Sequence, residues 1–226
     1  MARVMIIPGL TVRRYLQPSA LALRQAGHQV VLSAPLGWPG TGTDLRHYGA
    51  NQAATSRRWG SVDLLIGCSV GTQAATAAAL AGADAAHLLL ISPTIEPGRR
   101  SVVSAFRGWL GGENHRDSPR VSVHAHDWVS GGPTGIVRGL QSAIAFQLEQ
   151  ELPRVESPIT IVHGDSDELS PLPFAGDLAD RSDASLLIMP DSPHSWPVGD
   201  PARFAHLVAQ LTGHEPDGPA RADQVR

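Results

Sequence analysis

The stretch Val62-Asp63-Leu64-Leu65-Ile66-Gly67-Cys68-Ser69-Val70-Gly71-Thr72-Gln73-Ala74-Ala75 decides how this chain is read. Val62–Ile66 has the composition of a buried strand, and the alanine-rich run Gly71–Ala81 that of a small-residue helix. Between them stands Gly67-Cys68-Ser69-Val70-Gly71, a G-x-S-x-G sequence in a strand, turn, helix context. A serine on so sharp a turn holds a strained backbone. Its neighbours two residues away must be small, because strand and helix approach closely there. The turn lifts the Ser69 hydroxyl out of the C-terminal edge of a sheet. It also leaves the Val70 N–H at a helix N-terminus, where it can donate to a developing oxyanion. Cys68 should point away from Ser69 and reads as a small buried hydrophobe.

Outward from this turn the same rhythm repeats. Arg3–Ile7 reads as a strand stopped by Pro8-Gly9, and Tyr15–Ala26 as a helix closed by Gly27. Gln29–Ser33 is a strand, Pro35–Thr43 a glycine- and proline-rich loop, and Asp44–Trp59 a helix with Asp44 at its N-cap. Ala86–Ile91 is the next strand. From 97 to 153 the rhythm breaks into glycine, arginine and histidine, with one helix at Ile136–Leu148. Strands resume at Pro158–Val162 and Ser185–Met189, and a last helix covers Pro201–Leu211.

Six short apolar strands alternating with helices predict a mostly parallel sheet covered on both faces, a three-layer α/β fold. The expected organisation is one domain over 1–212, a lid or cap insertion at 97–153 over one end of the sheet, and a flexible tail at 213–226.

The composition excludes several classes. With 226 residues, 42% of them hydrophobic, the chain can bury a core, and its net charge of −3 lacks the basic excess of a nucleic-acid binder. No apolar run approaches the length of a membrane span, and the N-terminus lacks the charge order of a secretory signal, so a cytoplasmic protein is expected. A single cysteine excludes an intrachain disulfide and a cysteine-rich zinc site. All 18 basic residues are arginine, which excludes chemistry that needs a lysine for phosphate binding or a Schiff base.

An activated serine needs a base, and the base an orienting acid; on this architecture they follow in the order serine, acid, histidine, after late strands. His163-Gly164-Asp165-Ser166-Asp167 follows one late strand, and Pro190-Asp191-Ser192-Pro193-His194 follows the last. Asp165 and Asp167 compete for the acid role, with the register favouring Asp167. His163 reads as a structural turn residue.

These motifs resemble the α/β-hydrolase superfamily, in particular its small bacterial esterases and C–C-bond hydrolases, from the first strand to about residue 211. Ile7-Pro8-Gly9-Leu10 stands where the family has its H-G-x oxyanion loop. Gly27-His28-Gln29-Val30 matches the turn into the next strand, and His163 to Pro171 matches H-G-x-x-D-x-x-x-P. The resemblance implies Ser69 as nucleophile, Asp167 as acid, His194 as base, and the Leu10 and Val70 N–H groups as the oxyanion hole. It implies no cofactor and no metal. Two departures stand out. Pro8 replaces the usual histidine, so the loop must be anchored by a different hydrogen bond. The sheet also starts at the strand that usually follows an N-terminal hairpin, which implies an exposed edge.

The expected substrate is a small molecule, held among Trp38, Trp109, Trp128 and Trp196, with Phe106, Leu110, Ile136 and Leu140 as further lining or docking residues. Packing of the insertion on the sheet is an equal account of these tryptophans. Arg99, Arg100 and Arg107 could supply a carboxylate or phosphate clamp, but their positions in the sequence do not establish one. His124-Ala125-His126-Asp127 resembles a metal-ligand pair on a strand, but no further ligands follow at suitable spacing. Hydrolysis of an apolar ester, lactone or thioester is the favoured activity. C–C hydrolysis, acyl transfer or cyclisation on the same triad, and a non-catalytic binding protein of the same fold, stay open.

Overall fold

Strands that are apolar on both faces need helices on both sides of the sheet. The computed structural model, which describes residues 1–105 and 121–214, has that arrangement. The strands are β1 (Arg3–Ile7), β2 (Gln29–Leu32), β3 (Leu64–Cys68), β4 (Leu88–Ile91), β5 (Ile159–Gly164) and β6 (Ser185–Met189). They form one sheet in the order β2-β1-β3-β4-β5-β6, every described pair parallel. The two faces follow from side-chain alternation. Met5, Ile7, Leu65 and Leu88 face one core, shared with α2 (Leu45–Trp59) and α3 (Gly71–Leu80). Val4, Ile6, Leu64 and Leu89 face the other, where α1 (Gln17–Gln25) packs beside the C-terminal helix Pro201–Thr212.

Strand order places the site. From β1 the chain steps outward to β2, then returns across β1 to β3 and runs on to β6. The loops after β1 and β3 therefore leave towards opposite faces and open a crevice at the C-terminal ends of the strands, where ligands of such sheets bind.

Four strands differ from the sequence reading: β2 ends and β4 begins one or two residues inside the expected bounds, and β3 and β5 are shifted towards the site. β3 runs Leu64–Cys68 rather than 62–66, so it ends directly at Ser69, whose N–H continues the ladder to Ile91 O at 2.9 Å. Val62 keeps only an isolated bridge to Ala85. β5 extends through His163 and Gly164, which pair with Ile188 and Met189. In both strands a glycine read as a turn is still in the sheet. A helix between β5 and β6 was not expected. Leu172–Ser182 starts behind Pro171, and Phe174, Ala175, Leu178 and Ala179 line its buried face. Prolines at 171 and 173 look like loop signals but are tolerated in a first helical turn.

In the segment 97–153, residues 106–120 lie outside the described residues, and with them the expected Phe106, Trp109 and Leu110. The rest is more helical than the sequence suggested. Helix α4 (Val121–Ala145) is broken at Gly132, φ 64° and ψ 168°, before Pro133, so the expected helix at 136–148 is its second half. A short helix α5 (Leu148–Glu151) follows. Helices α6 (Leu172–Ser182), α7 (Trp196–Gly199) and α8 (Pro201–Thr212) complete the fold. The tail proposed from residue 213 is described only at Gly213 and His214. Among the described residues no helix is long and apolar enough to cross a membrane.

The glycines of the Ser69 turn are required by contact. A Cβ on Gly67 would lie 2.4 Å from Gly71 O, and one on Gly71 would lie 2.2 Å from Ile7 O. Backbone cannot yield to either. Gly71→Ala is expected to cost about 3 kcal/mol, a fall of roughly 6–12 °C in Tm. Gly176→Ala is the control: its Cβ would meet nothing within 4 Å, and it lies inside α6. That variant should melt at or slightly above the parent temperature in a thermal scan.

Candidate active site

Ser69 sits in the left-handed region at φ 56°, a conformation that a non-glycine residue holds only when its surroundings enforce it. The enforcement comes from the strand below, the helix above and the two glycine contacts. The result is a half-buried hydroxyl at the lip of the crevice. His194 Nε2 lies 2.9 Å from Ser69 Oγ, and His194 Nδ1 lies 2.8 Å from Asp167 Oδ2. The three side chains come from the ends of β3, β5 and β6.

The carboxylate fixes the imidazole tautomer. An ionised Asp167 can only accept, so Nδ1 carries the proton and donates to it, and Nε2 presents a lone pair to the Ser69 hydroxyl. Asp167 is held in turn. Its Oδ1 accepts the Leu169 and Ser170 N–H groups, each at 2.9 Å, and its side chain is fully buried. Burial pushes its carboxyl up. The charge and hydrogen bond of His194, the charge of His163 and the Ser170 N–H together outweigh burial and leave it below the usual aspartate value.

His163 is buried beneath the site. Burial lowers its pKa, and its Nε2 donates to Ser170 O at 3.0 Å. It thus supports the loop that holds Asp167. Asp165 takes another part: it is exposed, and its Oδ1 accepts from Ser166 Oγ at 3.0 Å and from Ser192 N–H at 3.3 Å. The two turns are locked together, since a Cβ on Gly164 would lie 2.1 Å from Ser192 O.

Across the crevice, Gly9 and Leu10 follow β1. Neither the Leu10 N–H nor the Val70 N–H has an acceptor among the described residues. Both residues line the same cavity as Ser69. Gly9 packs against the Ser69 turn, a Cβ there lying 3.6 Å from Ser69 Cβ. The different anchor required by Pro8 is Tyr15, whose hydroxyl accepts the Gly9 N–H at 3.3 Å. No motif marks Tyr15; its only sequence signal is its place at the start of a helix facing the loop.

The cavity measures about 380 Å³. Val12, Leu16, Ile91 and Ile95 form much of its wall, and α4 closes it with Trp128, Ile136 and Leu140. Of the other tryptophans, Trp38 and Trp196 lie off this wall. Trp38 donates its indole N–H to Thr11 O at 3.1 Å, behind the Leu10 loop. Trp196 is buried and meets Phe204 edge-on at 6.1 Å, a core contact. Position along the sequence near His194 did not reveal that its side chain points into the core. Arg99 lines the mouth but is paired with Glu96 at 2.8 Å, and Arg100 is paired with Glu149. Arg107 lies outside the described residues.

Cys68 and the histidine cluster also resolve. Burial pushes the Cys68 thiol up to about 12, so it stays protonated and unreactive at neutral pH. His124 to Asp127 lie on α4 rather than on a strand, with His124 buried and His126 exposed, so the two rings do not share a face. No group of three potential metal ligands occurs among the described residues.

Three glycines at four-residue spacing seat α4 on this site. A Cβ on Gly131 would lie 2.9 Å from the Thr11 methyl, on Gly135 2.2 Å from Gly37 O, and on Gly139 2.7 Å from Leu10 Cδ1.

The chain has the α/β-hydrolase fold. It is similar in structure to a hydrolase from Pseudomonas aeruginosa PA01, with a TM-score of 0.77 at 15% identity over 94% of this chain and 90% of that one. It is similar to Est816, described as an N-acyl homoserine lactone degrading enzyme, with a TM-score of 0.74 at 16% identity over 93% of each chain. A third relative in shape is the esterase EaEST from Exiguobacterium antarcticum, with a TM-score of 0.73 at 16% identity over 94% of this chain and 92% of that one. No protein-family model and no curated protein matches the sequence.

Proposed function

We propose that this protein is a serine hydrolase that cleaves a small or medium apolar ester, lactone or thioester through an acyl-enzyme. The observation that carries the reading is the continuous line from Asp167 through His194 to Ser69, beside an apolar cavity also lined by Leu10 and Val70, whose N–H groups have no acceptor among the described residues. An esterase and a lactone-degrading enzyme share the fold, which supports the substrate class.

In the first step Ser69 Oγ bonds to the acyl carbon as His194 Nε2 takes the hydroxyl proton. The carbonyl π electrons move onto oxygen, and the Leu10 and Val70 N–H groups stabilise that charge. Asp167 stays ionised and balances the imidazolium. The intermediate collapses, the bond to the leaving group breaks, and His194 returns the proton to it. Water then repeats the sequence on the acyl-enzyme. Helix α4 serves as the cap over the apolar space for the acyl group.

The test is a fluorophosphonate probe together with p-nitrophenyl esters of short acids. Labelling at Ser69 with ester turnover supports the reading. Labelling without ester turnover turns it towards C–C cleavage, acyl transfer or cyclisation, and no labelling leaves a binding protein.

The pH dependence has a defined sign. His194 must be neutral to accept the proton, so kcat/KM should rise with pH as the imidazole titrates. Asp167, lowered in the folded state, is ionised across that range and contributes no limb above pH 5. For stability, its lowered value contributes above the unfolded aspartate pKa and is lost as pH falls through the folded one. A flat rate profile from pH 5 to 8 would count against His194 as base.

A further inference from the structure

The helical run that begins at Arg14 and continues into α1 has no cap of its own: Arg13 makes no side-chain capping bond, and no acid lies in the first turn. Its first N–H groups need an acceptor. The acceptor comes from the cap helix, 114 residues away. Asp127 Oδ2 accepts the Arg13 N–H at 2.7 Å and the Arg14 N–H at 2.8 Å, and Arg14 Nε lies 3.4 Å from Oδ1. The Asp127 side chain is fully buried, a costly place for a carboxylate unless its partners are fixed. Two N–H groups at a helix start provide such partners.

The turn held in this way carries the Leu10 N–H. Thr11, the next residue, has φ 53°, a strained value for a β-branched side chain. Such a residue keeps its conformation only under several restraints. Thr11 N–H donates to Leu36 O at 3.1 Å, Trp38 Nε1 donates to Thr11 O at 3.1 Å, and Gly131 of α4 lies so near the Thr11 methyl that a Cβ there would come within 2.9 Å of it. Asp127 closes the downstream end of the turn.

We propose that Asp127 is a positioning residue: through the Arg13 and Arg14 N–H groups it locks the turn at Thr11 and so aims the Leu10 N–H at the oxyanion. The kinetic part rests on the hydrolase reading above; the structural part does not. On this account the first half of α4 is a fixed strut of the active site, because moving it away would strip the carboxylate of its partners.

The experiment compares the full-length parent with Asp127→Ala and Asp127→Asn. It reads the backbone amide signals of residues 9–14 by NMR, p-nitrophenyl ester kinetics, and Tm. Asp127→Ala is expected to shift the Leu10 and Thr11 amide signals and speed Thr11 exchange. It should lower kcat about tenfold to a hundredfold, less than outright loss of an oxyanion donor, with KM within about twofold. Asp127→Asn places an amide oxygen where Oδ2 lies, so it should restore kcat to within about threefold. A stabilising role alone would lower Tm and leave kcat and the Leu10 signal unchanged, and that result overturns the proposal. So does a folded Asn variant as slow as the Ala variant. If Asp127→Ala does not fold, Trp38→Phe removes another tether from the same turn. A moved Leu10 signal with reduced kcat supports the proposal, and a parent-like signal and kcat overturn it. If the parent itself shows neither labelling nor turnover, the hydrolase reading fails, and the amide signals still decide whether Asp127 sets the turn.

Discussion

Ser69→Ala is expected to abolish ester turnover and probe labelling while Tm stays close to that of the parent. Removing a nucleophile from such a relay lowers kcat by at least about 10⁴-fold, because the remaining donors and binding contacts still act but no covalent path is left. The fold should survive. The hydroxyl reaches towards the cavity and carries little packing, and the left-handed conformation at φ 56° is imposed by Gly67, Gly71 and the ends of β3 and α3 rather than by the serine side chain. Steady-state kinetics, probe labelling and a thermal scan on one preparation check all three parts. Residual turnover within tenfold of the parent would remove Ser69 from the mechanism.

Asp167→Asn is expected to lower kcat by roughly 10⁴-fold with a modest change in KM, because an amide can present its NH₂ to His194 and reverse the imidazole tautomer. The loss should not be relieved at high pH, since the fault is in proton placement and not in ionisation. Asp165→Asn provides the contrast. That carboxylate is exposed and bonds to its own turn and to the Asp191 and Ser192 backbone, away from His194, so kcat should stay within about twofold. The reverse pattern would mean that the acid had been assigned to the wrong member of the pair.

The layers and the meeting of Ser69, Asp167 and His194 were legible because each depends on local signals. Apolar strands bounded by turn residues predict buried parallel strands, and the elbow glycines are required by contacts a few residues away. Chain order alone then brought Ser69, Asp167 and His194 to one edge, 2.9 Å and 2.8 Å apart along the relay. What was missed depends on distant partners. The anchor of the Leu10 loop is a tyrosine with no motif, and the cap of the helical run at Arg14 lies on another element altogether. Trp38 and Trp196 were placed near the site by their loops, but side-chain direction is set by packing that no spacing records. The first half of α4 was missed because Ser130, Gly131, Gly132 and Pro133 look like a linker; they form instead the break between two helical pieces.

The glycine ridge at 131, 135 and 139 bears on how this scaffold can be altered. Helices that cover a cavity are often treated as exchangeable modules, but here α4 rides on bare backbone at Gly37 and against Leu10 and Thr11. A transplanted helix with ordinary side chains at those three places would be propped off its seat and would vent the chamber to bulk water. Libraries aimed at the cavity should therefore vary Trp128, Ile136 and Leu140 and keep the ridge as it stands.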